Sequence, residues 1–343
     1  MIVSKGVSLI NIIKWSWVHI VWLLLFSGGI ATLYYFNFLD IIIPWLPISL
    51  IGTAVAFFVG FKNNQAYDRM WEARKIWGGI INNSRTWGMQ VDGYVTNKFN
   101  KNIPEEQLNE IKKRLIHRHI AWLYLHRRQL LIPSSWEHIK QKGLIAKKAV
   151  KHQKKFGIGL VEKEADELDL SKLISEKELD SLMTSKNIST QIINKQSQEL
   201  TKLRDLDIID DFRHIDLMQT LSTFYDLQGK NERIKKFPLP RQYANTSRYF
   251  VGIFLLLFPF SMIPELIAIG EVGFWLSIPI TALVGWVYVM MELVGDYTEN
   301  PFQGMANDIP MLSLCRTAEI DLREILKESN LPSAIKAKKN ILM

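Results

Sequence analysis

The stretch PWLPISLIGTAVAFFVGFKNNQAYDRMWEARKIWGGIINNSR, residues 44–85, changes character once, and that change decides the fold. From Pro44 to Phe61 it is an apolar run, opened by prolines at positions where the first turn of a helix tolerates them. From Lys62 onward it is densely polar and aromatic. A bilayer core takes about 20 apolar helical residues. The run therefore reads as a membrane helix that leaves the hydrocarbon at Lys62.

Three further runs have the same reading. Trp15–Phe36 carries Trp15, Trp17 and Trp22 toward one end and Tyr34 and Tyr35 at the other, which suits interfacial anchoring. The others extend from about Tyr249 to Ile267 and from about Gly273 to Leu293. Their connections, Asn37–Ile43 and Ser261–Val272, are predicted to be tight hairpins. Ser27-Gly28-Gly29-Ile30-Ala31 imitates a leader cleavage site, but the apolar stretch runs on to Phe36, so an uncleaved helix is expected.

The bulk composition hides this pattern. Of 343 residues, 48% are apolar and 22% charged, as in a soluble protein. Yet no Lys or Arg lies between Trp15 and Phe61 or between Tyr249 and Cys315, whereas Lys62–Arg248 holds 34 Lys/Arg against 23 Asp/Glu. Basic residues collect on the cytoplasmic side. Neither hairpin has one, so both termini and the polar middle are expected in the cytoplasm and the spans in the cell membrane. A soluble protein with buried helices usually has shorter apolar runs. The chain divides into residues 1–61 (N-terminal segment and two spans), 62–240 (cytoplasmic helical domain), 241–296 (two further spans) and 297–343 (cytoplasmic C-terminal segment). The fold class is an all-α membrane protein.

Within the middle, Leu115, Ala121, Trp122 and Leu125, then Ile208, Ile209, Phe212, Ile215, Leu217, Leu221 and Phe224, recur at helical spacing. Residues 138–170 are the least patterned, Lys-rich then acidic, and read as a solvated excursion. Pro238 and Pro240 mark the turn back to the membrane.

Chemistry is sparsely signalled. Cys315 is the only cysteine, which leaves no intrachain disulfide and no Cys-rich metal site. His117 and His119 point about 200° apart on a helix. Together with His126 they read as partners of carboxylates or carbonyls rather than as zinc ligands. There is no Gly-rich phosphate loop, nucleophile elbow or His-Glu-x-x-His, so neither an enzyme nor a cofactor is indicated. The Lys-rich tracts at 147–155 and 230–241 have the charge to touch nucleic acid or anionic lipid, but a solvated or juxtamembrane basic face is their usual reading; the partners expected of the chain are membrane lipid and no nucleic acid. Arg69, Glu72, Arg74 and Arg85 are positioned to pair across helical turns or across subunits. Trp71, Trp77 and Trp87 have the amphipathic rings that suit a membrane interface.

The segment from Gly60 to Arg85 resembles the signature of the bestrophin family, especially its prokaryotic branch. It carries Asn64, Ala66, Tyr67, Arg69, Trp71, Glu72 and Arg74, then Trp77-Gly78 and Asn-x-Ser-Arg ending at Arg85. Arg118-His119-Ile120-Ala121-Trp122-Leu123 resembles the family's cytoplasmic helix. Glu292-Leu293-Val294-Gly295, with Glu299-Asn300-Pro301-Phe302, resembles the exit of its last membrane helix. These matches cover most of the chain; only about 130–200 lacks them. The resemblance implies a homopentamer around a central pore that passes small inorganic ions. It places a pore neck at Thr53, Phe57 and Phe61, where Thr53 stands in a position more often apolar. It also places a second, cytoplasmic aperture at Ile215. Spacing alone puts the three neck residues on one helix face, which fits packing core or pore lining. Eukaryotic members bind calcium through an acidic run after Asn-Pro-Phe; here Asn300–Asp308 lacks that run, so no calcium site is expected.

Two rival functions remain at this point. A secondary transporter places ionisable residues or broken helices near the midplane, whereas Asp40, Glu265, Glu271, Glu292 and Asp296 sit near the ends of the apolar blocks. A membrane-anchored interaction protein is compatible with the chain as a further role. Asp40, Glu265 and Glu271 on the outer hairpins lean toward cations; the basic middle leans the other way.

Overall fold

The computed structural model describes residues 1–156 and 170–343. The acidic half of the expected excursion, 157–169, lies outside the described residues. Apart from isolated bridges joining Ile2 and Lys338 to Ile341, the regular structure there is helical. The helices are α1 (Leu9–Tyr35), α2 (Trp45–Tyr94), α3 (Glu105–Leu131), α4 (Leu144–Phe156), α5 (Glu176–Met183), α6 (Ile188–Asp205), α7 (Asp211–Lys236), α8 (Arg241–Ile267), α9 (Glu271–Thr298) and α10 (Met311–Ile325). They form two compact units: Ser4–Arg69 with Pro238–Glu299, and Met1–Val3, Met70–Phe237 and Asn300–Met343.

Among the described residues four helices are long and apolar enough to cross a membrane, and the first unit holds them: α1, the start of α2, α8 and α9. Ser8 caps α1, its Oγ accepting from the Asn11 N–H. Pro259, Pro264 and Pro279 lie inside α8 and α9, which membrane helices tolerate because neighbours satisfy the freed carbonyls. The helices pack through Leu23, Val55, Val59, Phe254, Phe258 and Val289, while Leu25, Leu46, Leu256 and Trp275 stay exposed. An outward apolar surface of this kind is what a lipid solvent requires. The second hairpin is shorter than expected: α8 remains helical through Ile267, so only Ala268–Gly270 turns.

The second unit packs the later part of α2 against α3, α6, α7 and α10. Trp77, Trp87, Leu115, Ile120, Trp122 and Phe224 are fully buried in its core. Two expectations fail here. Trp77 and Trp87 are core residues of this unit, not interfacial anchors; an indole buries more apolar area than any other side chain, and a helix core takes it. The basic part of the expected excursion is instead ordered as α4, with Ala149 and Gln153, one turn apart, buried. Asn187 and Asp210 cap α6 and α7, accepting from the Thr190 and Arg213 N–H groups at 3.1 and 3.0 Å. α7 ends at Lys236, just before Pro238.

Candidate pore lining

α2 is one unbroken helix of 50 residues, about 75 Å at 1.5 Å per residue. What fixes its rotation in the membrane unit is its packed face. Gly52, Val55, Val59, Lys62 and Ala66 are buried. Gly52 meets α8 and α9 so closely that a Cβ there would lie 2.9 Å from the Phe254 ring and 3.1 Å from the Tyr288 hydroxyl. That hydroxyl donates to the Gly52 carbonyl at 3.0 Å. On the flank, Phe58 stacks on Tyr243 with ring centroids 6.0 Å apart. At 100° per residue, Phe57 lies about 200° from Val59, so the opposite face must look away from the chain's own core.

It does. Thr53 is exposed, and Phe57 and Phe61 are each 66% exposed. Packing in the chain's own core is thereby excluded for these rings. The Thr53 hydroxyl donates to the Ser49 carbonyl at 2.9 Å, so its polar atom is turned to its own helix. The departure from an apolar residue at this position is thus smaller than its chemistry suggests. The same face continues beyond Phe61 through the exposed Asn64, Asp68, Trp71 and Lys75.

At the boundary of the membrane unit the sequence reading missed a polar cluster. Lys62, wholly buried, pairs with Glu292 of α9, and Ser247 of α8 donates to the other Glu292 oxygen. Asn63 donates to the Met291 carbonyl at 2.9 Å, and a Cβ at Gly295 would collide with the Asn63 side chain. That is the physical reason for glycine in Glu292-Leu293-Val294-Gly295. The only advance signal was a lysine directly after Phe61 and an acid near the end of the last apolar run.

The other signature residues sort by burial. Ala66 is buried; Asn64, Tyr67 and Trp71 are exposed. Glu72 pairs with Arg233 of α7 at 2.5 Å and Arg85 with Asp321 of α10 at 2.8 Å, ties between distant helices rather than across turns. The Arg74 guanidinium lies over Gly78, one turn further along α2. Ile215, 65% exposed, and Phe212, 85% exposed, leave the core that Leu217, Leu221 and Phe224 join. Helical spacing alone had grouped all five. Asp40, Glu265 and Glu271 are exposed.

The histidines are structural. His117 Nε2 lies 2.6 Å from Glu328, His119 Nε2 is 2.9 Å from the Ser84 hydroxyl, and His126 Nε2 is 3.1 Å from the Asn231 amide. Burial lowers the pKa of His119 to about 3 and that of His126 to about 4, keeping both neutral. Among the described residues no three His, Cys, Asp or Glu side chains gather as a metal-binding group. In the loop after Asn300, Asp308 accepts from the Gln303 and Met305 N–H groups at 2.7 and 3.1 Å. Gln303 Oε1 accepts from the His138 N–H at 2.9 Å. Nearby, Lys235 and Glu137 form a buried pair in which desolvation pulls both toward neutrality.

The sequence profile of the bacterial and fungal bestrophins matches residues 7–324. The chain is 26% identical over 283 residues to a voltage-dependent anion channel-forming protein of Mesorhizobium japonicum, covering 82% of this chain and 75% of that one. It is 23% identical over 316 residues to the voltage-dependent anion channel-forming protein YneE of Escherichia coli K12, covering 91% and 88%. The fold is similar to that of a bacterial bestrophin homologue from Klebsiella pneumoniae, with TM-score 0.68, 20% identity and coverage of 91% and 100%. A second crystal structure, of a membrane protein, gives TM-score 0.72 at 21% identity, covering 92% and 100%.

Proposed function

The chain belongs to the bacterial and fungal bestrophin family, and from that premise we propose that it is one subunit of a membrane channel for small monovalent ions. Five copies surround a central pore. Thr53, Phe57 and Phe61 form its neck, Ile215 its cytoplasmic aperture, and Asp40, Glu265 and Glu271 its outer mouth. The spans within 1–61 and 241–296 lie in the cell membrane against lipid, and the termini and the segments 62–240 and 297–343 face the cytoplasm. The pore needs no cofactor and performs no chemistry.

One observation carries this reading. Two phenylalanines stand two-thirds exposed on the face of α2 opposite its packed face, beside a helix surface otherwise closed by α8 and α9. Five-fold symmetry would turn that face inward. Stacked apolar rings cannot replace an ion's hydration shell, so the constriction closes by dewetting.

The names of the relatives support an anion as the permeant ion. A second reading, a cation, is supported by the exposed Asp40, Glu265 and Glu271, on hairpins without a basic residue. A ring of like charge concentrates its counter-ions. The test has two parts. Five chains of 39.8 kDa should give a particle of roughly 200 kDa before detergent; a monomer or dimer rejects the channel. A planar bilayer recording in a salt gradient should then show unitary currents, with the reversal potential fixing the ion's sign.

A further inference from the structure

α4 carries its charge on one side. At 100° per residue, Lys147, Lys148, Lys151 and Lys154 fall within an arc of about 120°, and all four are exposed. Ala149 and Gln153, buried, are centred about 180° from that arc. Lys140 and Lys142, just before the helix, are also exposed, and no acidic residue occurs between His138 and Phe156.

What holds α4 in place is close, along the chain, to the membrane spans. Gln153 donates to the Gln303 carbonyl, and His138, fifteen residues earlier in the chain, donates its N–H to the Gln303 side chain. Gln303 is five residues beyond the end of α9. Glu137 pairs with Lys235, six residues before α8 begins. Five or six extended residues span at most about 20 Å, so the two residues that hold α4, Gln303 and Lys235, each lie within about that reach of the end of a membrane helix.

We propose that the lysine face of α4 docks on anionic phospholipid headgroups at the membrane surface. Each lysine near such a surface gains about 1 kcal/mol, and a fixed arc of four presents them together, where a disordered tail would have to be ordered first. The inference rests on the membrane reading but not on ion conduction.

Hydrogen–deuterium exchange of the full chain in lipid nanodiscs tests it. In discs of phosphatidylcholine with added phosphatidylglycerol, amides of 144–156 should exchange at least about five-fold more slowly than in phosphatidylcholine alone, the factor equivalent to about 1 kcal/mol. Changing Lys147, Lys148, Lys151 and Lys154 to Gln should abolish the difference while exchange in α3 and α7 stays as before. A Lys148→Gln, Lys151→Gln variant should keep part of it. Equal exchange in the two lipids overturns the proposal. So does equal slowing by inorganic phosphate added to phosphatidylcholine discs, which would make the face a simple anion site. A protein that protects α4 in anionic discs yet carries no current keeps this inference and loses only the channel.

Discussion

Lys62 and Glu292 form an ion pair buried inside the membrane unit, joining α2 to α9, with Ser247 of α8 hydrogen-bonded to the same carboxylate. Adjacent residues on a helix point about 100° apart. Seating Lys62 inward therefore turns Phe61 outward, and the pair sets the rotation of the face proposed as the neck.

Removing one partner leaves an uncompensated buried charge, which costs about 3–5 kcal/mol, whereas replacing both by apolar residues is close to neutral. Lys62→Met should therefore lower the melting temperature of the detergent-purified protein sharply. Lys62→Met with Glu292→Leu should recover most of the loss. A double variant as unstable as the single would show that the pair is not what ties these helices.

Phe57→Ala tests the proposed neck. Because the ring is mostly exposed in the single chain, its truncation leaves no internal cavity, and the subunit should fold and assemble normally. Five rings are lost at one level, so the closed pore should widen and wet, and leak current should rise with little change in ion preference. A well-assembled variant with an unchanged closed state would refute the assignment.

Legibility followed physical signal strength. Four apolar runs were readable because no Lys or Arg interrupts them, and α2's rotation was half readable because its two faces repeat at helical spacing. Whether that spacing meant core or pore was not. Phe57 and Val59 are equally apolar, and only the approach of Phe254 and Tyr288 to Gly52 separates their faces. The same limit misgrouped Phe212 and Ile215 with Phe224. Trp77 and Trp87 misled because an indole suits an interface and a core alike. α4 was missed because five lysines are interleaved with its six apolar residues, so charge hid its periodicity. The Lys62–Glu292 pair was beyond reach, with its partners 230 residues apart.

The loop after the last membrane helix should leave the channel indifferent to calcium. Asp308 is the only acid between Asn300 and Ile309, and its carboxylate already closes the loop through two N–H groups. Calcium takes six to eight oxygen ligands. Currents in a chelator and in micromolar calcium should be the same. A steep dependence, or calcium binding abolished by Asp308→Asn, would contradict this.

Acid should destabilise the second unit through its core histidines. His119 and His126 have folded pKa values near 3 and 4, depressed by burial from the usual 6.5. Between about pH 4 and 6.5 the unfolded chain therefore binds more protons, and stability falls as pH drops through that window. Asp308 opposes this: burial raises its folded pKa to about 7, so its contribution is lost as pH rises from about 4 to 7. Two histidines outweigh Asp308, so stability still falls with pH, a fall that Glu137, whose carboxyl pKa burial also raises, makes shallower. Melting temperature should drop between pH 6.5 and 5, more steeply in Asp308→Asn, which removes the opposing group. His126→Gln, which keeps a polar partner for Asn231, should flatten the profile. A wild-type profile that stays level from pH 7 to 5, with Asp308→Asn also level, would mean that these histidines titrate alike in the folded and unfolded chain.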